Sequence, residues 1–225
     1  MKDKNLYLHV GCHFTAPKEW INIEASPFLY LQKIPFLGKL FINENVGLYP
    51  QNVKYGDIVK GVKFIEQDSC KGIYCSHVLE HLPLQDFRKG LKNLNNYLQP
   101  NGLFRLIVPD LEWAAKNYLL RLKEGDNQAS LDFCDNYTYF GTVALDKSIK
   151  GTLKNIFGTS KHHWMWDFYS LSEELKSAGF KNIRRCSFND SEDSLFKLVE
   201  EENRFIEIQK RGITPPLAVA IECTK

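Results

Sequence analysis

The sequence predicts an α/β protein, a three-layer sandwich around a mostly parallel sheet of seven strands. Short β-rich runs alternate with helical patterns along the chain, which is typical of a sheet covered by helices. The runs at 5–10 and 102–109 are mostly apolar on both faces, as central parallel strands must be. With 225 residues, of which 44% are hydrophobic, the chain can bury a sizeable core, and we expect one domain over residues 1–225.

Seven runs have strand character, and we expect the last of them to enter the sheet antiparallel to its neighbours. In chain order the runs are NLYLHV (5–10), WINIE (20–24), NVKYG (52–56), GIYCSH (72–77), GLFRLIVP (102–109), FKNIRRCSF (180–188) and PLAVAIECT (216–224).

Helical patterns fall between these strands. The three clearest are LQDFRKGLKNLNNYL (84–98), LEWAAKNYLLRLKEG (111–125) and SLSEELKSAGF (170–180). Gly125 and Gly179 are placed as C-terminal caps of the second and third helices. Ser170 followed by Glu173 predicts a capping box, with Ser170 as the N-cap.

The connection from Glu112 to Phe168 is unusually long for a link between two strands of one sheet. It is rich in aromatic residues, and its end reads HHWMWD (162–167). We expect an inserted helical cap that closes over the molecule bound at the functional site. Its last residues should return the chain to the C-terminal edge of the sheet.

Charge and cysteine content exclude some classes of protein. The 29 basic and 27 acidic residues give a net charge of +2, which does not predict a nucleic-acid surface. The most apolar stretch, residues 27–41, contains lysines and a proline and is shorter than the ~20 residues of a membrane span, so we expect no stable membrane insertion. Because the chain enters a strand almost at once, we expect no signal peptide, and its six cysteines form no C-x-x-C pair. These features predict reduced thiols in the cytoplasm.

The first strand runs into Gly11-Cys12-His13, which resembles a cofactor-binding turn that lacks its second glycine. A dinucleotide site needs a G-x-G-x-x-G loop and an acid about 20 residues later. Here the acid, Glu24, follows Gly11 too closely for a full crossover helix. The pattern therefore disfavours NAD and favours a cofactor with a ribose but no phosphate, such as S-adenosylmethionine (SAM). Glu24 would contact the ribose diol and Asp57 the adenine amino group.

The chain resembles the class I SAM-dependent methyltransferases between about residues 6 and 184. The blocks that carry this resemblance are LHVGCHFTAPKEWINIEAS, YGDIVKG, IYCSHVLEHL, LKNLNNYLQPNGLFRLIVPDLEWA and HHWMWDFYSLSEELKSAGF. The closest match is the type-11-like group, often linked to polysaccharide and cell-surface glycan synthesis. The resemblance implies a Rossmann-like fold.

It also implies that SAM is the cofactor and that several residues of this chain line its site. Those implied are Gly11, Cys12, His13, Glu24, Asp57, Ser76 and His77. The sequence departs from the family pattern at three points: His13 replaces a glycine, Lys71 replaces an acid before the fourth strand, and Pro100-Asn101-Gly102 replaces a double-glycine turn.

The segment HVLEH (77–81) also satisfies H-x-x-E-H, a zinc-protease signature in which the two histidines bind the metal and Glu80 is the general base. A strand leads directly into His77, and Pro83 follows His81 after one residue, so a helix here would be a poor scaffold. We therefore expect no metal, and a zinc hydrolase is a remote alternative.

Three residues near the expected site are candidates for catalysis: His81, Asp110 and His163. Each has a structural alternative. His81 could bond to backbone, Asp110 could cap the following helix, and the HHWMWD segment could be an apolar plug. If the segment is functional, His163 could be a base, and Trp164 or Trp166 could pack on a sugar.

These features predict a SAM-dependent methyltransferase acting on an oxygen or nitrogen of a small molecule or glycan precursor. Enzymes that methylate base amines have an Asp/Asn-Pro-Pro-aromatic motif after the fourth strand, whereas this chain has Ser76-His77-Val78-Leu79. We therefore expect a small-molecule or sugar acceptor and no nucleic acid. The alternative is a catalytically inactive binding protein that retains the methyltransferase fold.

Overall fold

A computed structural model of the chain describes residues 5–32, 34, 38, 47–140, 161–205 and 218–225. Its centre is a seven-stranded sheet in the order β3-β2-β1-β4-β5-β7-β6. Strand β7 runs antiparallel to both of its neighbours, and the other pairs are parallel. The strands are β1 (Leu6–Val10), β2 (Ile21–Glu24), β3 (Lys54–Tyr55), β4 (Cys70–Ser76), β5 (Leu98–Pro109), β6 (Lys181–Arg185) and β7 (Ala218–Thr224).

This sheet confirms the predicted fold class, including the antiparallel last strand. Strand β5 is longer than the apolar run predicted, because its pairing begins at Leu98, directly after the preceding helix. The Pro100-Asn101-Gly102 turn therefore lies within the strand. At Gly102, an added Cβ would lie 3.0 Å from the backbone oxygen of Cys70, so the neighbouring strand approaches too closely for a larger residue.

The helices are short except for three. They are α1 (Pro27–Gln32), α2 (Leu84–Tyr97), α3 (Leu111–Lys123), α4 (Ala129–Asp132), α5 (Phe168–Ser177) and α6 (Glu202–Phe205). Single 3-10 turns cover Leu79–His81 and Ser194–Leu198, and a π turn covers Phe133–Tyr137.

The expectation that Ser170 is an N-cap was wrong. Helix α5 begins at Phe168, and its N-cap is Asp167, whose Oδ1 accepts from the backbone N–H groups of Tyr169 at 2.8 Å and Ser170 at 2.9 Å. Ser170 is the other member of the capping box, with its hydroxyl 3.4 Å from the backbone nitrogen of Asp167. A carboxylate also complements the positive end of the helix dipole, which a hydroxyl cannot do.

One face of the sheet, which we call the helix face, is covered by α2 and α5. Its residues come from alternate positions of the strands and are apolar, as are the helix residues that pack on them. They include Leu8, Ile73 and Leu106 of the sheet with Leu94 and Leu175 of the helices, all fully buried. This face holds the larger part of the core.

The opposite face, which we call the loop face, is covered without a long helix. No helix forms between β1 and β2, as the short spacing before Glu24 predicted. The cover comes instead from residues 190–205, the closing segment, which lies between β6 and β7 in sequence. Phe196 of this segment is fully buried, and the indole N–H of Trp20 donates to the backbone oxygen of Leu195 at 3.2 Å.

The predicted cap is mainly helical between residues 112 and 137, whereas residues 161–167 form no helix, and residues 141–160 lie outside the described residues. Helix α3, α4 and the π turn form a small cluster of their own around Ala114 and Tyr137. Arg121 fastens this cluster, with nitrogens 2.6 Å from carboxylate oxygens of Asp126 and Asp132. None of the helices in the described residues is long and apolar enough to cross a membrane.

Candidate functional site

The candidate site lies at the C-terminal edge of the parallel strands, where open α/β sheets bind their ligands. Here β1 ends at the Gly11 loop, β2 at Glu24, β4 at Ser76 and β5 at Asp110. The predicted site residues are thus brought to one edge of the sheet by four adjacent strands.

The loop after β1 requires glycine at its first position. Gly11 has a φ of +64°, and an added Cβ would lie 2.2 Å from Cγ2 of Val78. The backbone N–H groups of Gly11 and Cys12 both donate to the oxygen of Ile23, at 2.9 and 3.1 Å. The loop is therefore drawn against β2, and its glycine allows the close approach of Val78.

His13 adopts the backbone conformation of the glycine that it replaces. Its φ is +48°, in the left-handed region that costs a residue with a Cβ about 1–2 kcal/mol. The imidazole contacts Phe14 in a tilted arrangement, with ring centroids 3.8 Å apart, and its edge faces Tyr49.

Glu24 joins the loop after β1 to the loop after β2. Its Oε2 accepts from the backbone N–H of His13 at 3.3 Å, and its Oε1 accepts from those of Ala25 at 2.9 Å and Ser26 at 3.2 Å. On the next strand, Asp57 caps its own turn by accepting from the N–H of Val59 at 2.9 Å. The two acids follow neighbouring strands, as a ribose and adenine site would need.

Three buried polar atoms between β1 and β4 have no hydrogen-bond partner among the described residues: Nδ1 of His9, the hydroxyl of Tyr74 and Oγ of Ser76. All three residues line a cavity of about 20 Å³, which is room for one water. The cavity also borders Gly11 and Cys12. Because an unsatisfied buried polar atom is costly, this cleft is suited to a polar ligand.

The closing segment closes this cleft from the loop face. The hydroxyl of Thr15 donates to Oε1 of Glu201, and Nε2 of His77 donates to the backbone oxygen of Arg204 at 3.0 Å. Glu201 and Arg204 also line the cavity. These contributions of Thr15, Glu201 and Arg204 were not predicted, because nothing in the sequence pattern indicates that the β6–β7 connection reaches the first loop.

His77 and Glu80 form a buried pair at the end of β4. Nδ1 of His77 lies 3.3 Å from Oε1 of Glu80, which is fully buried. Burial by itself would lower the pKa of His77, but the contact with the carboxylate outweighs it and raises that pKa. Conversely, burial would raise the pKa of Glu80, whereas His77 and His81 lower it. Each group therefore favours the charged form of the other.

The segment HVLEH is not a helix that presents both of its histidines. Only Leu79–His81 form a 3-10 turn, and His77 precedes it with a φ of +52°. Glu80 and His81 instead lie next to His162, and one ligand atom from each lies within 4.8 Å of the others. Burial lowers the pKa of His162 to about 4, so its imidazole is neutral at pH 7.

Comparison with known proteins identifies the family. A sequence profile described as a methyltransferase domain matches residues 39–185, which is more than half of the chain. The chain belongs to this methyltransferase family. The protein is accordingly an enzyme of the SAM-dependent methyltransferase class, with SAM as its cofactor.

Solved structures agree on the fold. A SAM-dependent methyltransferase from Archaeoglobus fulgidus aligns over 99% of this chain and 86% of its own, with 13% identity and a TM-score of 0.50. One from Methanosarcina mazei aligns over 100% of this chain and 94% of its own, again with 13% identity and a TM-score of 0.50. At such identity the likeness shows the fold alone. No curated protein matches the chain.

The candidate catalytic residues of the methyltransferase differ in their hydrogen bonds and in the exposure of their side chains. Asp110 caps α3: its Oδ1 accepts from the N–H groups of Glu112 at 2.8 Å and Trp113 at 3.2 Å. His81 is held by the backbone oxygen of Lys161, 3.0 Å from its Nδ1. His163 is exposed, and its backbone N–H donates to the oxygen of Glu80 at 2.8 Å. Of the three candidates, His163 is the one with an exposed side chain.

The HHWMWD segment of the methyltransferase contains one buried tryptophan, Trp166, and one exposed tryptophan, Trp164. Trp166 is buried and stacks on Phe87, with ring centroids 4.5 Å apart. Its backbone forms a bridge beside Asp110, which holds the segment at the C-terminal edge of the sheet. Trp164 is 41% exposed. Trp166 is thus a packing residue, whereas Trp164 is available to a ligand.

Proposed function

We propose that the protein transfers the methyl group of SAM to an oxygen or nitrogen of a small molecule or glycan precursor. The observation that carries this proposal is the cleft between β1 and β4. It combines a glycine that no larger residue can replace with three unsatisfied polar atoms. A cleft of this composition fits the polar end of SAM.

The residues present fit the cofactor in three places. Gly11, Cys12 and His13 would hold its amino-acid part together with Ser76 and His77, next to the unpaired atoms of the cleft. Glu24 would accept from the ribose hydroxyls, since its carboxylate already gathers N–H donors at this edge. Asp57, after the neighbouring strand, would accept from the adenine amino group.

Entry of the cofactor requires the closing segment to move. The present cavity holds about one water. The contacts from Thr15 to Glu201 and from His77 to Arg204 span the cleft and are the ones that must break.

The bound cofactor supplies an electrophilic methyl group on a sulfonium. The protein's contribution is to orient the acceptor in line with it, an effect that can reach effective molarities of about 10⁵–10⁸ M. A hydroxyl acceptor also needs a base, worth about 10²–10⁴ in rate. His163 is the candidate base that the geometry favours over Asp110 and His81, because its side chain is exposed.

The acceptor would lie under the cap, beside the HHWMWD segment. The exposed ring of Trp164 would pack on a sugar or another flat acceptor, which favours a glycan precursor among small molecules. All six cysteines are free, and four of them are buried, which supports a reducing compartment such as the cytoplasm.

The test is calorimetric titration with S-adenosylhomocysteine. We expect Glu24→Ala to lose about 1–3 kcal/mol of binding free energy, the cost of an unmade polar contact. Glu19→Ala is the matched control, since Glu19 is an exposed acid between the same two strands. Equal affinity in the two variants would remove Glu24 from the site. No binding by the unaltered protein would instead indicate the inactive binding protein.

A further inference from the structure

The side chains of Glu80, His81 and His162 converge beside the cofactor cleft. One ligand atom from each lies within 4.8 Å of the other two. We propose that these three residues form a binding site for a divalent transition-metal ion, and that zinc is the metal their donor atoms suit best. The site does not depend on the methyl-transfer proposal, because it is defined by its own side chains.

Glu80 has a buried carboxylate whose charge is compensated only in part. Its side chain is fully buried, His77 stabilises its charge, and neither carboxylate oxygen makes a hydrogen bond of standard geometry among the described residues. His77 lies 3.3 Å from Oε1 and balances part of the charge, but it leaves Oε2 without a partner. Burying a carboxylate without hydrogen bonds costs several kcal/mol unless a cation compensates it. A metal ion would supply that cation.

The side chain of His81 is held in an orientation that suits a metal ligand. Its Nδ1 donates to the backbone oxygen of Lys161 at 3.0 Å, so the lone pair of the neutral ring is on Nε2. That Nε2 lies 3.9 Å from Oε1 of Glu80. In a metal-binding histidine, the ring nitrogen that does not bind the metal usually donates a hydrogen bond to a carbonyl or carboxylate. The tautomer is thus already the one that a metal needs.

His162 offers the third ligand atom of the site. Its Nδ1 is buried and has no hydrogen-bond partner among the described residues, and its ring centroid lies 5.1 Å from that of His81. The backbone around it is fixed, because the N–H groups of His163 and Trp164 both donate to the oxygen of Glu80, at 2.8 and 3.2 Å. The strand-end turn and the end of the cap are therefore held together at this point.

The spacing suits a small ion. Two ligands about 2.1 Å from a tetrahedral zinc lie about 3.4 Å apart. The 3.9 Å between Glu80 and His81 is close to that value, so binding requires only small side-chain rotations.

Two imidazoles and one carboxylate favour zinc and related transition metals over magnesium or calcium, which prefer oxygen ligands. Three protein ligands also leave a fourth position open, as in catalytic zinc sites. Since His81 is partly exposed, that position can be reached by water or by an acceptor oxygen.

This site differs from the protease reading of HVLEH. His77 is turned to Arg204 and is not one of the three donors, and Glu80 is a ligand and so cannot serve as the general base. The expectation of no metal considered only histidines on one helix, whereas His162 comes from the far end of the cap. The proposal replaces that expectation and predicts a metal site without zinc-protease chemistry.

The experiment is a zinc titration of protein purified without a histidine tag and stripped with a chelator. A chromogenic chelator competes for the metal, and unfolding temperature is followed in parallel. We expect one zinc per chain and a rise in unfolding temperature, with no competition from millimolar magnesium. His162→Ala should weaken zinc binding at least tenfold, and Glu80→Gln should do the same.

His163→Ala is the matched control, because His163 is the exposed neighbour outside the donor set. It should bind zinc like the unaltered protein. Should Glu80→Gln fail to fold, His162→Ala and His81→Ala carry the test, with circular dichroism confirming their fold without metal. The proposal is overturned if zinc does not bind saturably, or if His162→Ala binds it as tightly as His163→Ala does.

Discussion

The two faces of the sheet are built from the same strands but from different kinds of residue. On the helix face, Leu8, Ile73 and Leu106 meet the apolar sides of α2 and α5. On the loop face, positions next to these in sequence are occupied by His9, Tyr74 and Arg105, under the closing segment. The helix face is therefore stabilised mainly by burial of apolar area, whereas the loop face buries both an apolar cluster and polar groups that need specific partners. The cofactor cleft lies on the loop face.

A buried ion network fastens the closing segment to the loop face. Arg105 is fully buried, with its Nε 2.5 Å from Glu200 and one terminal nitrogen 2.8 Å from Glu222 and 2.9 Å from Asp190. Glu200 and Asp190 belong to the closing segment, and Glu222 belongs to β7. Removing one partner from such a network leaves the others buried and uncompensated.

The largest effect should come from breaking this network. Arg105→Ala should lower the free energy of unfolding by about 3–5 kcal/mol, because the buried carboxylate of Glu200 loses its cation and that of Glu222 keeps only Arg184. Denaturant unfolding measures this. Arg88→Ala is the control, since Arg88 pairs with Glu174 at the surface and should cost less than about 1 kcal/mol. Similar losses in the two variants would mean that the network contributes no more than a surface pair.

On the helix face, Leu94→Ala should cost about 2–5 kcal/mol through the cavity that it leaves. Leu94 is fully buried there, and it is not among the residues lining the cofactor cleft. The affinity of the folded variant for S-adenosylhomocysteine should therefore stay unchanged. A loss of affinity at temperatures where the variant is folded would show that the two faces are coupled.

Acid should weaken the loop face selectively. Burial would raise the pKa of Glu222, but its bonds to Arg105, Ser191 and Arg184 outweigh this and lower it from 4.5. A lowered pKa contributes stability above pH 4.5 that is lost as the pH falls through the folded-state value. Unfolding measured between pH 6 and 3 should show this loss, and Glu222→Gln should make the decline shallower. An unchanged slope would exclude Glu222 as its source.

Weakening the contacts of the closing segment should increase the affinity for the ligand. Glu201→Ala removes the contact with Thr15, and since one hydrogen bond is worth about 0.5–1.5 kcal/mol, S-adenosylhomocysteine should bind about 2- to 10-fold more tightly. Glu202→Ala, at the exposed neighbour, should leave the affinity unchanged. Weaker binding in Glu201→Ala would instead make Glu201 part of the ligand site.

The smallest effect is expected at the first loop. His13→Gly relieves left-handed strain of about 1–2 kcal/mol but loses the ring contact with Phe14 and adds entropy to the unfolded chain, so the net gain in unfolding free energy should stay below about 1 kcal/mol. Thermal unfolding measures this gain. A clear destabilisation would show that the contact between His13 and Phe14 matters more than the strain.

The helix face could be predicted from the sequence, and the loop face largely could not. Apolar runs fix strands such as β4, and regular spacing fixes α2, because both follow from periodic burial. The closing segment has only one 3-10 turn and one short helix, so it offers no periodic pattern from which its position could be inferred. Its contacts to Thr15 and His77 join residues far apart in the chain.

The candidate site was predictable to the same extent. Gly11 and Glu24 stand at strand ends, where the pattern itself indicates a site. His162 lies at the end of an irregular connection, and only tertiary packing brings it beside Glu80. Ser170 was misplaced as a cap for a related reason: local spacing allows two capping boxes, and the stronger acceptor, Asp167, forms the one observed.

The position of β7 between β5 and β6 has a consequence for biosynthesis. Among the described strands, β6 pairs only with β7, which emerges from the ribosome after it. Until β7 inserts, β5 presents an open apolar edge, and β6 together with the closing segment has no sheet to join. Such edges invite pairing with other chains. A nascent chain that pauses before residue 218 would thus expose the edge of β5. Chaperones should therefore matter most during the interval before β7 has been synthesised.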